Sequence, residues 1–287
     1  MKNFKFLSLE DLPFIFVSPA LIWQILFLYL PLTILILNSF IDYEKVFTLT
    51  FSIYKDVFNK SYFRVIFNSI FLAFSTAFIT FLFAYPVAYF ISLKVKKYKS
   101  LFLFSLILPS WTSFIVQIYA WFFLLKKDGL FTLLFKFFGL FKNSTHLLNS
   151  YFAVQIGMAY CFLPFMIFPI YTVLEKMDKR LIEASYDLGA NTFNTFRRII
   201  FPISMPGVLT GFLLVLIPAF GEFAIPDLLG GGRKIYWGSI IVEKFLVSRD
   251  WKSGAAITVI GVLSLTVALL FSSVLLRTVK KIMKSNG

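Results

Sequence analysis

This chain is short of charge, cysteine and histidine, and each shortage closes off a class of function. Only 15% of its 287 residues are Asp, Glu, Lys or Arg, where a soluble domain carries about 25%. Set against 59% hydrophobic residues and a mean hydropathy of +0.83, that shortage excludes an ordinary soluble domain and points to the membrane. The single cysteine, Cys161, excludes an internal disulfide. The single histidine, His146, does not make a metal site, because a zinc centre takes three or four ligands. No G-x-x-x-x-G-K-[ST] occurs; "LLGGGRK" (228–234) is glycine-rich but lacks that pattern. ATP hydrolysis is therefore not expected in this chain, and no catalytic residue, cofactor site or metal site is expected either.

What is present is apolar length and scattered positive charge. The 39 phenylalanines fit a lipid-facing surface. The net charge is +14. A nucleic-acid binder gathers its cations into one patch; here they sit in loops between apolar runs, so nucleic acid is not an expected partner. Six stretches reach the roughly 20 apolar residues that a helix needs to cross a bilayer: about 13–41, 65–92, 100–125, 150–174, 199–221 and 254–276. The first follows Lys2 and Lys5 but runs too long for a signal peptide and lacks a small-x-small cleavage site, so it reads as an uncleaved span. The expectation is an all-α membrane protein, one transmembrane domain over 1–287.

Six spans put both termini on one side. With the termini inside, segments 1–12, 93–99, 175–198 and 277–287 hold 15 of the 28 Lys/Arg in 54 residues, and the outer segments 42–64, 126–149 and 222–253 hold 13 in 79. The denser inner charge follows the positive-inside rule and predicts cytoplasmic termini. Pro19, Pro31, Pro86, Pro109, Pro164, Pro169, Pro206 and Pro218 interrupt the spans. They fit either ordinary membrane-helix irregularity or a bundle that rocks.

One segment does not belong to the lipid. Residues 175–202 are polar and patterned as two short helices at an angle. Leu181, Ile182, Ser185 and Leu188 share one face. Gly189 suits the left-handed position that ends a helix, and Asn191 or Thr192 can cap the next. An amphipathic helix lying on lipid headgroups is one reading of this pattern. The spacing gives another. Glu183-Ala184-Ser185, three residues, Gly189, nine residues, Ile199, one residue, Phe201-Pro202 resembles the EAA loop of ABC-importer permeases, whose pattern is Glu-Ala-Ala, three residues, Gly, nine residues, Ile, one residue, Leu-Pro. The sequence departs from it at Ser185 and Phe201.

That resemblance implies a type I ABC-importer permease bundle of six transmembrane helices in a bacterial inner membrane. The loop would be a coupling helix docking into a separate cytoplasmic ATP-binding subunit, present in two copies, which would hold the ATP and Mg. The implied coupling residues are Glu183, Ala184, Ser185, Gly189, Ile199 and Pro202. Small Ala184 and Ser185 would allow close approach. Glu183 would supply a charge-assisted bond. Arg197 and Arg198 would meet membrane lipid headgroups or acids of the partner.

The segment 218–251, with its "GEF", "IP", "LLGG" and "RDW" runs, resembles the spermidine/putrescine permease subunits of the same importers. That likeness implies a second, homologous permease and a periplasmic polyamine-binding protein. A polycation wants carboxylates and aromatic faces, so Glu222, Asp227, Trp111 and Tyr119 are the candidate substrate path. A helix-end carboxylate paired with Arg233 or Lys234 is the plain alternative for the acids, and a place in the interfacial belt is the plain reading of Trp121. Other cargoes stay open (ferric ion, phosphonate, another organic cation), as does a secondary transporter subunit. The last would need ionisable groups at the span centres, where the sequence shows none.

Overall fold

The computed structural model describes residues 12–42, 48–49, 54–55, 60–139 and 147–285. His146, the basic N-terminal segment and much of 42–64 lie outside them. The chain divides into two compact units, Met1–Asn59 with Ile241–Leu263, and Lys60–Ile240 with Ser264–Gly287.

In the first unit, α1 (Leu12–Gln24) passes through a π turn, Ile25–Tyr29, into α2 (Leu30–Phe40). A two-residue antiparallel pair, Ile41–Asp42 with Thr48–Leu49, is the departure from all-α structure among the described residues. The "RDW" run opens the last helix of the chain, Trp251–Ser285. Asp250 accepts the Ser253 N–H (3.0 Å) and donates its own N–H to Lys244 O (2.9 Å). Burial works against the Asp250 carboxylate, but the Ser253 hydrogen bonds, with Lys244 and Lys252, hold it below the usual range. The Trp251 ring stands edge-on to Phe245. The run that carried a family likeness thus has a plain local job, starting a helix.

The second unit holds α3 (Lys60–Tyr89), α4 (Lys99–Ile107), α5 (Phe114–Leu125), α6 (Leu130–Phe137), α7 (Tyr151–Glu175), α8 (Arg180–Asp187), α9 (Thr192–Thr195), α10 (Phe201–Gly221), α11 (Ala224–Gly230) and the first residues of α12 (Trp237–Val242). Its core is α3, α7 and α10 packed against one another. Between membrane helices there is no hydrophobic drive to associate, so contact rests on small residues that let backbones close in. α3 supplies Ala73, Ala77, Ala84 and Ala88, all fully buried on one face. α10 supplies the Gly207–Gly211 pair, four residues apart. A Cβ at Gly207 would come within 2.6 Å of the Pro169 carbonyl oxygen of α7, and one at Gly211 within 2.6 Å of Met166 Sδ.

Five helices among the described residues are long and apolar enough to cross a membrane, or six with one bent pair counted as a span. The bent pair covers the expected span 100–125, which Pro109 interrupts. Lys99–Trp111 and Phe114–Phe137 meet at 91°. Pro86, Pro164, Pro169, Pro206 and Pro218 lie within continuous helices, so proline alone does not break this one. Around Pro109 a local network replaces the helix: its carbonyl accepts the Thr112 N–H (3.1 Å), the Thr112 hydroxyl (2.7 Å) and the Gln117 side-chain amide (2.8 Å). Satisfied carbonyls make the break tolerable at membrane depth.

Candidate functional site

At one end of α7 the chain turns into an elbow made of α8 and α9. α8 ends in a Schellman motif: the Gly189 N–H bonds Tyr186 O and the Ala190 N–H bonds Ser185 O, both at 2.9 Å. Gly189 has φ +79°, which a Cβ disfavours. Asn191 then caps α9, its side-chain oxygen accepting the Asn194 N–H at 2.8 Å. The angle is pinned from inside by two buried hydroxyls, Ser185 and Thr195, 2.8 Å apart. Ser185 is largely buried and ties the two arms together through Thr195, at the wall of the crook between them. Ala184 and Glu183 are exposed, Pro202 is exposed at the start of α10, and Ile199 is half-buried.

The outward face of the elbow is apolar. Leu188 is 88% exposed and Phe193 67% exposed. A cavity of about 590 Å³ lies in the crook, lined by Leu181, Ala184, Leu188, Ala190, Arg198 and Ile199. Exposed apolar side chains on a charged segment mark a surface meant to be covered. The second arm is fixed to the bundle by aromatic rings: Tyr85 of α3 stands edge-on to Phe196 at 5.7 Å and hydrogen-bonds Ser204 at 2.9 Å. Sequence reading missed this cluster, because the partners lie more than 100 residues apart.

At the other end of α7 the chain folds back. α11 packs against α7 and α5, seated where Gly157 leaves room for Leu229 and Ile225. Glu222 caps this short helix, accepting the N–H groups of Ala224 (2.8 Å) and Ile225 (3.2 Å). It is the residue that follows α10, where the chain leaves that helix in an extended conformation. Asp227 is exposed and accepts the Ser239 hydroxyl at 3.0 Å. Among the described residues neither acid is ion-paired with Arg233 or Lys234. Those cations instead line a cavity of about 300 Å³ with Asn149, Tyr151 and Tyr236, Lys234 lying 5.4 Å over the Tyr151 ring. Behind it Tyr151, Ser75 and Gln155 form a hydrogen-bonded cluster.

The expected aromatic path residues flank the break in the third span. Trp111 and Tyr119 are both exposed in the isolated chain. Trp121, read as a belt residue, packs within the protein on Tyr160 and Phe131. Gln117, which drew no notice in the sequence, clamps the break.

Residues 49–284 match the family described as binding-protein-dependent transport system inner membrane component. The chain belongs to this family. Among its relatives is the spermidine/putrescine transport system permease protein PotB of Haemophilus influenzae, 38% identical over 253 residues, covering 87% of this chain and 88% of that protein. The protein of the same name from Escherichia coli is 37% identical over 243 residues, covering 83% and 88%. A bacterial alginate ABC transporter, solved in complex with an alginate pentasaccharide-bound periplasmic protein, has a chain of the same fold, with TM-score 0.73 and 18% identity over 95% of this chain and 96% of that one. As an inner membrane component, this chain uses its apolar helices as spans, and its bundle is that of ABC transporter permeases.

Proposed function

We propose that this protein is one permease of an ATP-driven importer of polyamines, spermidine or putrescine. The observation that carries this reading is the 37–38% identity to the PotB permeases across more than four-fifths of each chain. In this reading both termini are cytoplasmic. The elbow, through Glu183, Ala184 and the faces of Leu188 and Ile199, docks on a separate ATP-binding subunit that holds ATP and Mg. A second, homologous permease completes the path, and two ATP-binding subunits drive it. The end of α7 opposite the elbow meets a periplasmic polyamine-binding protein. ATP binding draws the elbows together and opens the bundle outward; hydrolysis resets it.

Cargo enters along the broken span and α11. Trp111 and Tyr119 offer π faces to ammonium groups. Asp227 offers an exposed carboxylate, and Glu222 a carboxylate half committed to capping α11. The test is ATPase activity of the reconstituted complex against a panel of loaded binding proteins. Stimulation by spermidine- or putrescine-loaded protein alone is expected. Stimulation only by another loaded protein would keep the importer and refute the polyamine cargo.

A further inference from the structure

One ion pair joins three chain segments at the elbow end of the bundle. Lys99 Nζ donates to both carboxylate oxygens of Glu175, at 2.8 and 2.7 Å, and to the Ser92 carbonyl at 2.8 Å. Lys99 is the first residue of α4, Glu175 the last of α7, and Ser92 lies in the π turn Phe90–Lys94 that ends the α3 run.

Each charge stands at the helix end that disfavours it. A cation at an N-terminus and an anion at a C-terminus both oppose the helix dipole. A lysine or glutamate placed for the sake of its own helix would sit at the opposite end. Pairing across the two helices relieves both conflicts. The Lys99 side chain is only 19% exposed, so its partly desolvated ammonium is held by three oxygen acceptors.

The pair matters because α4 has little else. No residue of α4 is buried, and its other side-chain hydrogen bond, Ser105 to Leu101 O, stays within the helix. Among the described residues Lys99 is the one α4 side chain that hydrogen-bonds to another helix. α4 is also the first half of the span broken at 111–114. On the other side, Glu175 precedes the elbow helix by five residues, and buried Met177 anchors the short link between them.

We propose that Lys99 and Glu175 are positioning residues for coupling: the pair carries movement of the elbow to the broken span, so that opening of the path follows the ATPase. The proposal rests on the elbow being the ATPase-docking segment. The test uses the full reconstituted complex in proteoliposomes, with Lys99→Met, Glu175→Gln and the exchange Lys99→Glu with Glu175→Lys. ATPase co-purification, stimulated hydrolysis and labelled spermidine uptake are measured together. Both single variants should keep the ATPase subunit and hydrolyse ATP, yet lose uptake per ATP by about tenfold, and the exchange should recover most of it, the coupling a double-mutant cycle reads.

Unchanged uptake per ATP in the single variants would overturn the proposal. So would a loss confined to the amount of assembled complex, with normal uptake per ATP in what remains, since the pair would then be a structural tie only. A wild-type complex whose ATPase subunit does not associate would strike the docking reading itself. A wild type that couples beside variants that do not change strikes this proposal alone.

Discussion

The two ends of α7 carry segments of similar build and opposite surface. Each has a short helix closed by a left-handed glycine, Gly189 at φ +79° in the elbow and Gly231 at φ +62° beyond α11. The elbow turns hydroxyls inward, Ser185 against Thr195, and leaves Leu188 and Phe193 in the open. The α11 segment buries Ile225, Leu229 and Trp237 completely and leaves Asp227, Arg233 and Lys234 outside. A surface that sets bare Leu188 and Phe193 among its exposed charges, Glu183 and Arg198 with them, suits cover by a partner protein. One that buries its apolar groups is already seated, and its charges are free to meet solute or a soluble protein.

Matched substitutions sharpen that contrast. Leu229→Ala should have the largest effect on folding, about 2–5 kcal/mol for a truncated buried leucine, read as a lowered melting temperature in detergent. Leu188→Ala should change stability by no more than about 0.5 kcal/mol, as for an exposed site. Equal losses at both would erase the distinction. Next, Leu188→Asp should leave a folded chain whose association with the ATP-binding subunit weakens by roughly one to two powers of ten, since burying a leucine is worth about 1.5–3 kcal/mol. Titration of the purified subunits checks it.

Smaller still is Gly189→Val. A left-handed conformation costs a residue with a Cβ about 1–2 kcal/mol. Binding-protein-stimulated ATPase should fall several-fold, and Gly189→Asn should fall less, because Asn tolerates that conformation. Glu183→Ala should lower stimulated activity in the same direction with no change in folding. Ser185→Ala should show the mildest defect: losing one hydroxyl contact costs about 1 kcal/mol. If its defect exceeded that of Leu188→Asp, the inner pin and not the outer face would dominate coupling.

Much of this was legible in the sequence because the bilayer imposes length. The long apolar runs became helices, and Gly189 and Asn191 became the helix stop and start that their chemistry dictates. The break at 111–114 was not legible: Pro109 looks like Pro164 or Pro206, which leave their helices intact, and what differs is the Thr112–Gln117 network around it. The inward turn of Ser185 was hidden because it depends on Thr195, ten residues on. Lys99 and Glu175 read as ordinary loop charges, since 76 residues separate two groups that only the fold brings together.

Cysteine cross-linking tests the contrast most directly. Cys161 is the chain's single cysteine, so Cys161→Ala gives a clean background for Leu188→Cys and Lys234→Cys in membranes of the assembled importer. Leu188→Cys should cross-link to the ATP-binding subunit, and Lys234→Cys to the binding protein and not to the ATPase. A cross-link from position 234 to the ATPase, or an elbow cysteine that is readily labelled in the assembled complex yet never joined to the ATPase, would contradict the assignment of the elbow as the coupling surface.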